Sequence, residues 1–284
     1  MDLFDFDFSN DLDKNSTKPK LIFFDTETTG NAKGDQIIEF GAIVEQDGKF
    51  EVINERCGLK DGTLIGIEAM AVHGIRNEEL EGLERFENSK SYKFINDNNS
   101  ANNYLIAHNL PFDLGMLKGY GFEQKYKLID TLQCSRHLFE VGEVLGEWEY
   151  ALPNHKLQTF RYILFSKSDE EEAIAKYGGE VKAHNALGDV IILKLFFEKL
   201  VGRAKEQQPD LSDSEILDYL VELSTKPVMV KKFSFGKYKG KLLTEVLEID
   251  RGYLEWLYKD MKKKSKSGES VDENMYNTLK EMVG

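Results

Sequence analysis

The sequence predicts a mixed α/β domain with a small module appended at its C-terminal end. Three features carry that expectation. Three β-rich runs with short connections come first, strand and helix patterns then alternate, and the charge balance changes sign near residue 225.

Residues 1–19, ending in Asn15-Ser16-Thr17-Lys18-Pro19, read as a flexible acidic tail. The alternation of Asp with Leu3, Phe4, Phe6 and Phe8 also fits a short motif that docks on a partner. Residues 20–25, 37–44 and 50–56 are apolar, β-rich runs, and strands so closely joined suggest an antiparallel meander. A helical stretch is expected around residues 77–94. Tyr104–Ala107 reads as a strand, and Asn109-Leu110-Pro111 starts a helix, with Asn as cap and Pro in the first turn. Residues 126–130 form another short strand leading into a helix. Helical patterns dominate 156–200, apart from the break at Gly178-Gly179. The main domain is therefore 20–204. Residues 205–230 read as a polar linker with one amphipathic helix, about 212–223, whose Ile216, Leu217, Leu220 and Leu223 recur at helical spacing. A small module, 231–284, follows.

A chain of 284 residues with 41% hydrophobic content can bury one substantial core and still leave an appendage. Its longest apolar stretches, 21–24 and 190–197 with Lys194 inside, fall far below the roughly 20 residues of a membrane span. The acidic, aromatic first ten residues do not resemble a secretory signal. Cys57 and Cys134 are far apart and outside any CxxC spacing, so neither a disulfide framework nor a structural zinc site is indicated, and a reducing cytoplasm is the expected setting. The net charge of -13 argues at first against a nucleic-acid partner. Its distribution matters more than its sum. Residues 225–284 hold thirteen Lys or Arg against nine Asp or Glu, a balance of +4 that leaves -17 for the rest. Acids that held divalent cations would cancel part of that excess.

Chemistry concentrates in three segments. In Phe24-Asp25-Thr26-Glu27-Thr28-Thr29-Gly30 the two acids stand two apart, so an extended chain projects both to one face, just beyond the strand end. Neighbouring carboxylates repel unless one is protonated or a cation sits between them, and a hard divalent ion resolves the conflict. An ordinary acidic turn would look the same in isolation. In His108-Asn109-Leu110-Pro111-Phe112-Asp113 the acid falls in the first helical turn, which also suits the helix dipole. In His184-Asn185-Ala186-Leu187-Gly188-Asp189 the His and Asp would lie about 140° apart on a regular helix. They can meet if His184 sits on the loop and Asp189 in the early helix.

Together these segments resemble the DEDDh exonuclease superfamily, named for four acidic residues and a histidine, which includes proofreading subunits, ribonuclease T and oligoribonuclease. Asp25-x-Glu27-Thr-Thr-Gly, His108-Asn-x-x-Phe-Asp113 and His184-x-x-x-x-Asp189 stand in the family's order, and Ala71-Val72-His73-Gly74-Ile75 resembles a fourth landmark. The resemblance spans about residues 20–200 and implies a ribonuclease H-like, mixed five-stranded sheet flanked by helices. The tail, Phe233-Ser-Phe-Gly-Lys-Tyr-Lys-Gly-Lys241 with Arg251-Gly-Tyr-Leu-Glu-Trp-Leu257, is similar to the C-terminal module of exodeoxyribonuclease X-type enzymes. Its Phe235, Tyr238, Lys237, Lys239 and Lys241 suit base stacking and phosphate contact, or equally a hairpin with a solvated basic edge. Tyr253, Trp256 and Leu257, at helical spacing, are expected in a core.

The resemblance implies a 3′ to 5′ exonuclease that releases nucleoside 5′-monophosphates with two divalent cations, Mg²⁺ or Mn²⁺. Asp25, Glu27 and Asp189 would hold one ion, Asp25 and Asp113 the other, and His184 would be the general base. Thr28, Thr29 and His73 would contact the terminal nucleotide, with Phe112 near its base. The implied partner is DNA with a free 3′ end, single-stranded or frayed, with RNA trimming, a polymerase-bound proofreading role and an inactive nucleic-acid-binding adaptor as alternatives. Members of the superfamily are often homodimers.

Overall fold

The computed structural model describes residues 18–181, 184–233, 235–267 and 271–284. The N-terminal motif at 1–17, and Ala183 and Ser234 of the motifs above, lie outside the described residues. Contacts divide the chain into two units, Met1–Ser224 and Thr225–Gly284.

The first unit is built on a five-stranded sheet in the order β3-β2-β1-β4-β5. β1 (Leu21–Thr28), β2 (Ile37–Gln46) and β3 (Lys49–Arg56) form the expected antiparallel meander, and β4 (Tyr104–Ala107) and β5 (Lys127–Asp130) run parallel to β1. Alternation along β1 sends Leu21 and Phe23 into one core and Ile22 and Phe24 into another. The second core is closed by α2 (Lys90–Asp97) and α3 (Leu110–Lys118), which follow the short helix α1 (Ile67–His73). The first is closed by α4 (Thr131–Leu138), α5 (Leu157–Leu164), α6 (Lys167–Tyr177) and the long α7 (Ala186–Gln207), with a two-stranded hairpin, β6 (Val144–Leu145) and β7 (Tyr150–Ala151), before α5. Lys194, the charge inside α7's apolar run, is buried but donates to Glu198 at 2.7 Å, and its Nζ lies 3.3 Å from Glu45 and over the Phe23 ring. Among the described residues, no helix is long and apolar enough to cross a membrane.

Three expectations change. The stretch around 77–94 is not one helix, because the backbone turns extended at Glu81 and Arg85, leaving two short 3₁₀ turns before α2. The helix placed in a linker, α8 (Asp213–Thr225), is instead part of the first unit. Its Ile216, Leu217, Leu220 and Leu223 join the core beside α7, and Ser224 accepts from the Asp130 backbone at 2.8 Å, which closes the sheet's β5 edge. Its apolar face needs burial that a linker does not provide.

The second unit has its own core of Phe233, Leu243, Val246, Leu254, Leu257, Met261, Met275 and Leu279, built by α9 (Leu243–Ile249), α10 (Arg251–Lys266) and α11 (Glu273–Val283). Trp256 is the third correction: expected in that core, it is 57% exposed. Leu254, Leu257 and Met261 make the buried stripe of α10, and position 256 is turned about 100° from 257.

Candidate active site

The five residues singled out from the sequence come from four places in the first unit. Asp25 and Glu27 lie within β1, which extends past them to Thr28 rather than ending before them. Their face is the one on which α7 packs. Asp25 pairs with Gly41 across the β1–β2 ladder, and a Cβ at Gly41 would stand 2.5 Å from the Ala186 carbonyl carbon. The missing side chain lets the start of α7 approach the sheet beside Asp25. Asp113 occupies the first turn of α3, and Asp189 the first turn of α7. His184 lies on the turn before α7, exposed, with a left-handed φ of 60°. The loop-and-early-helix arrangement expected for the His–Asp pair is the one observed.

Hydrogen bonds hold these groups in place. The His184 N–H donates to Asp189 Oδ2 at 3.1 Å, and Gln158 Nε2 donates to Oδ1 at 2.6 Å. Thr26, pointing to the opposite face from its neighbours, donates to Asp113 Oδ1 at 2.7 Å. Glu27, His184 and Asp189 each place a ligand atom within 4.8 Å of the others. Burial raises the pKa of every acid in the set. Asp25 stands well above the carboxylate range through burial and then the charges of Asp113, Asp189, Glu27 and Glu39. Glu27 is raised to about 8 by burial and then Asp189, Glu39 and Asp113. Burial takes Asp113 to about 7 against the Thr26 hydrogen bond, and Asp189 to about 6 against those from His184 and Gln158. The charges of His184 and Arg161 offset part of the shift at Asp189, but no Lys or Arg among the described residues is ion-paired to any of the four, and carboxylates at this density ionise together most readily around a cation.

Glu39 was not picked out from the sequence. It is buried opposite Glu27 on β2, where Oε2 accepts from the Ala186 N–H at 3.0 Å and Oε1 from Arg56 at 3.0 Å. It ties the start of α7 to the sheet. Its signal, an acid and a glycine inside the otherwise apolar run 37–44, was present. Gln158 carried none.

The four proposed nucleotide contacts divide. The hydroxyls of Thr28 and Thr29 are buried and donate to Gly30 O and Asp35 Oδ1, both at 2.7 Å, so they shape the loop after β1. His73 Nδ1 accepts from the Ile75 N–H at 3.0 Å, so Nε2 carries the ring proton; it is buried, directed toward the Thr28 backbone and without a well-formed hydrogen bond. Burial lowers its pKa and keeps the ring neutral. Phe112 is half-buried and lines a cleft of about 570 Å³ between α3 and the loop at 31–36. His108 is structural: its ring bonds Thr131 Oγ1 and the His155 carbonyl, and burial pushes its pKa down to about 4. Asn109 stands at the helix start in a left-handed conformation without capping by its side chain, its N–H instead donating to Asp130.

A family model described as Exonuclease matches residues 22–197, and one described as Exodeoxyribonuclease X-like C-terminal matches 233–261. Among curated proteins, Exodeoxyribonuclease 10 of Escherichia coli (strain K12) is 24% identical over 245 residues, covering 85% of this chain and 91% of that protein. DNA polymerase III subunit epsilon of Buchnera aphidicola subsp. Schizaphis graminum is 32% identical over 135 residues, 42% of this chain and 57% of that one. Among solved structures, E. coli exonuclease I in complex with a dA16 oligonucleotide aligns with a TM-score of 0.50 at 19% identity, covering 71% of this chain and 43% of that one. This likeness is one of fold, and the chain spans less than half the length of exonuclease I.

Proposed function

The chain belongs to the exonuclease family, and from that premise we propose that it shortens DNA from the 3′ end, releasing nucleoside 5′-monophosphates. The observation that carries this reading is the convergence of Asp25, Glu27, Asp113 and Asp189, from three separate elements, beside a histidine on an exposed turn. The similarity to Exodeoxyribonuclease 10 over most of both chains favours DNA as the substrate.

Family members use divalent metal ions, and the oxygen-rich set here fits hard ions such as Mg²⁺ or Mn²⁺. Asp25, Glu27 and Asp189 would hold one and Asp25 with Asp113 a second. Bound there, such ions acidify a water and neutralise charge on the leaving oxygen. His184, close to both Glu27 and Asp189, takes the proton from the attacking water as general base. Asp189, bonded to the His184 backbone, fixes the turn that carries the imidazole. His73 offers its buried Nε2–H, which makes no well-formed hydrogen bond within the chain, to the terminal nucleotide, and Phe112, next to Asp113 in the first turn of α3, packs near the base. Thr28 and Thr29 act through the loop they shape.

The test is a time course on 5′-labelled single-stranded and duplex DNA, with RNA alongside, in Mg²⁺, in Mn²⁺ and in chelator. Stepwise shortening of DNA that requires metal is the expected result. DNA left intact under both metals would overturn the proposal, and preferential loss of RNA would move the substrate to that class.

A further inference from the structure

The exposed aromatics and lysines of the second unit play no part in the site above. An antiparallel bridge joins Lys232 and Leu242, and between them Phe233 and residues 235–241 lie against the first turns of α10. Gly236 has a left-handed φ of 69°, which favours glycine, and a Cβ there would meet the Tyr253 hydroxyl at 2.9 Å. Asp250 anchors the contact: it accepts from Lys237 at 2.8 Å, from the Tyr238 hydroxyl at 2.7 Å and from the Tyr253 N–H at 3.1 Å. Lys237 and Tyr238 are thus committed to holding the loop on the helix.

What they hold in place is a row of rings. Phe235, Phe233, Tyr253 and Trp256 follow one another at centroid separations of 6.1, 5.9 and 5.7 Å. The inner two are packed, whereas the outer two are open, Phe235 at 39% and Trp256 at 57% exposure. Lys239 and Lys241 stand exposed on the loop. Along α10, Lys259 and Lys263 follow Trp256 at three and seven residues, which places them on its face of the helix, and both are exposed. Isolated exposed apolar residues need no explanation, but two exposed aromatics, one with exposed lysines on its own loop and one with exposed lysines on its own helix face, in the unit whose charge balance is positive, have the chemistry of a surface for stacked bases and phosphates.

We propose that this face of the second unit binds single-stranded DNA, with Trp256 and Phe235 stacking on bases and Lys239, Lys241, Lys259 and Lys263 contacting phosphates. The proposal rests on the nucleic-acid reading of the catalytic unit. It supplies what that unit lacks, since residues 1–224 carry the whole excess of negative charge. The binding is independent of base sequence, because every base has a face to stack.

The experiment uses the full chain in chelator, so that no substrate is consumed, and follows the anisotropy of fluorescein-labelled oligo(dT). Trp256→Ala is expected to weaken binding about 5- to 150-fold, the range for loss of one stacked base. The double variant Lys259→Gln, Lys263→Gln makes no packing change and should reduce the slope of log affinity against log salt by about 1.4, two phosphates' worth on a single strand. Wild-type affinity and slope in both variants would overturn the proposal, as would absence of binding by the parent chain at low salt, which would leave an acidic protein surface as the occupant. Hydrolysis of thymidine 5′-(p-nitrophenyl phosphate) in Mn²⁺ separates the two readings, since so small a substrate engages only the catalytic unit. Trp256→Ala should leave that rate at the parent value. A parent chain that does not hydrolyse the ester would count against the catalytic reading, while oligo(dT) binding lost in the variants would still support the surface.

Discussion

Around Asp25 and Glu27 four carboxylates converge, Glu27 and Asp113 buried and Asp25 and Asp189 half-buried, each raised in pKa chiefly by loss of water around it and each placed by an element that must be in register with the others. Around Trp256 the charged groups are lysines on the outside, on a unit whose core does not depend on them. The contrast teaches where folding and function compete. In the first unit the candidate catalytic groups oppose folding as long as no cation neutralises them; in the second the candidate binding groups are exposed and nearly neutral to stability.

That contrast can be broken by substitution. Asp189→Asn should bring turnover down to the level seen in chelator with an unchanged circular dichroism spectrum, and an active, folded variant would sink its assignment. His184→Ala should slow the chemical step about 10²- to 10⁴-fold, the usual range for a lost general base, as measured by single-turnover cleavage. Gly41→Ala tests whether the approach of α7 matters. Its methyl cannot fit against Ala186, so thermal unfolding should show a loss of about 1–3 kcal/mol. Turnover should fall too, by about 10²-fold if the start of α7 moves by an ångström. A variant with parental stability and rate would show that the strand and helix can part freely.

The smallest expected effect sharpens the comparison through pH. A carboxyl whose pKa is raised in the fold keeps protons that the unfolded chain has already released, so its contribution to stability is lost as pH rises. In chelator the melting temperature of the first unit should therefore fall across the window from the ordinary carboxylate range to about 8, the value for Glu27, with Asp113 at about 7 and Asp189 at about 6 titrating within it. Mg²⁺ or Mn²⁺ should raise the melting temperature more at the alkaline end. Equal stabilisation across the window would show that the acids are not the groups that bind the ion.

The sheet, its order of elements and the five central residues were legible because each rests on a short-range regularity: alternation in β1, a proline-started helix before Asp113, and a loop-to-helix spacing at 184–189. Glu39 and Gln158 were not, since their roles arise only when β2 and α5 meet α7 in three dimensions. Helix α8 was misplaced because an amphipathic pattern records that a face is buried but not against what. Trp256 was misread for a related reason: spacing from Tyr253 is helical, yet the stripe that packs runs through Leu254, Leu257 and Met261.

The left-handed backbone of His184 has a consequence for how this protein is kept by selection. A side chain in that region costs about 1–2 kcal/mol, a cost that glycine escapes. Selection for robustness alone would drift toward glycine at this turn, leaving a sound scaffold without the proposed general base. The histidine is thus held against the backbone's own preference, and descendants released from the need to cut would be expected to lose it before they lost the fold.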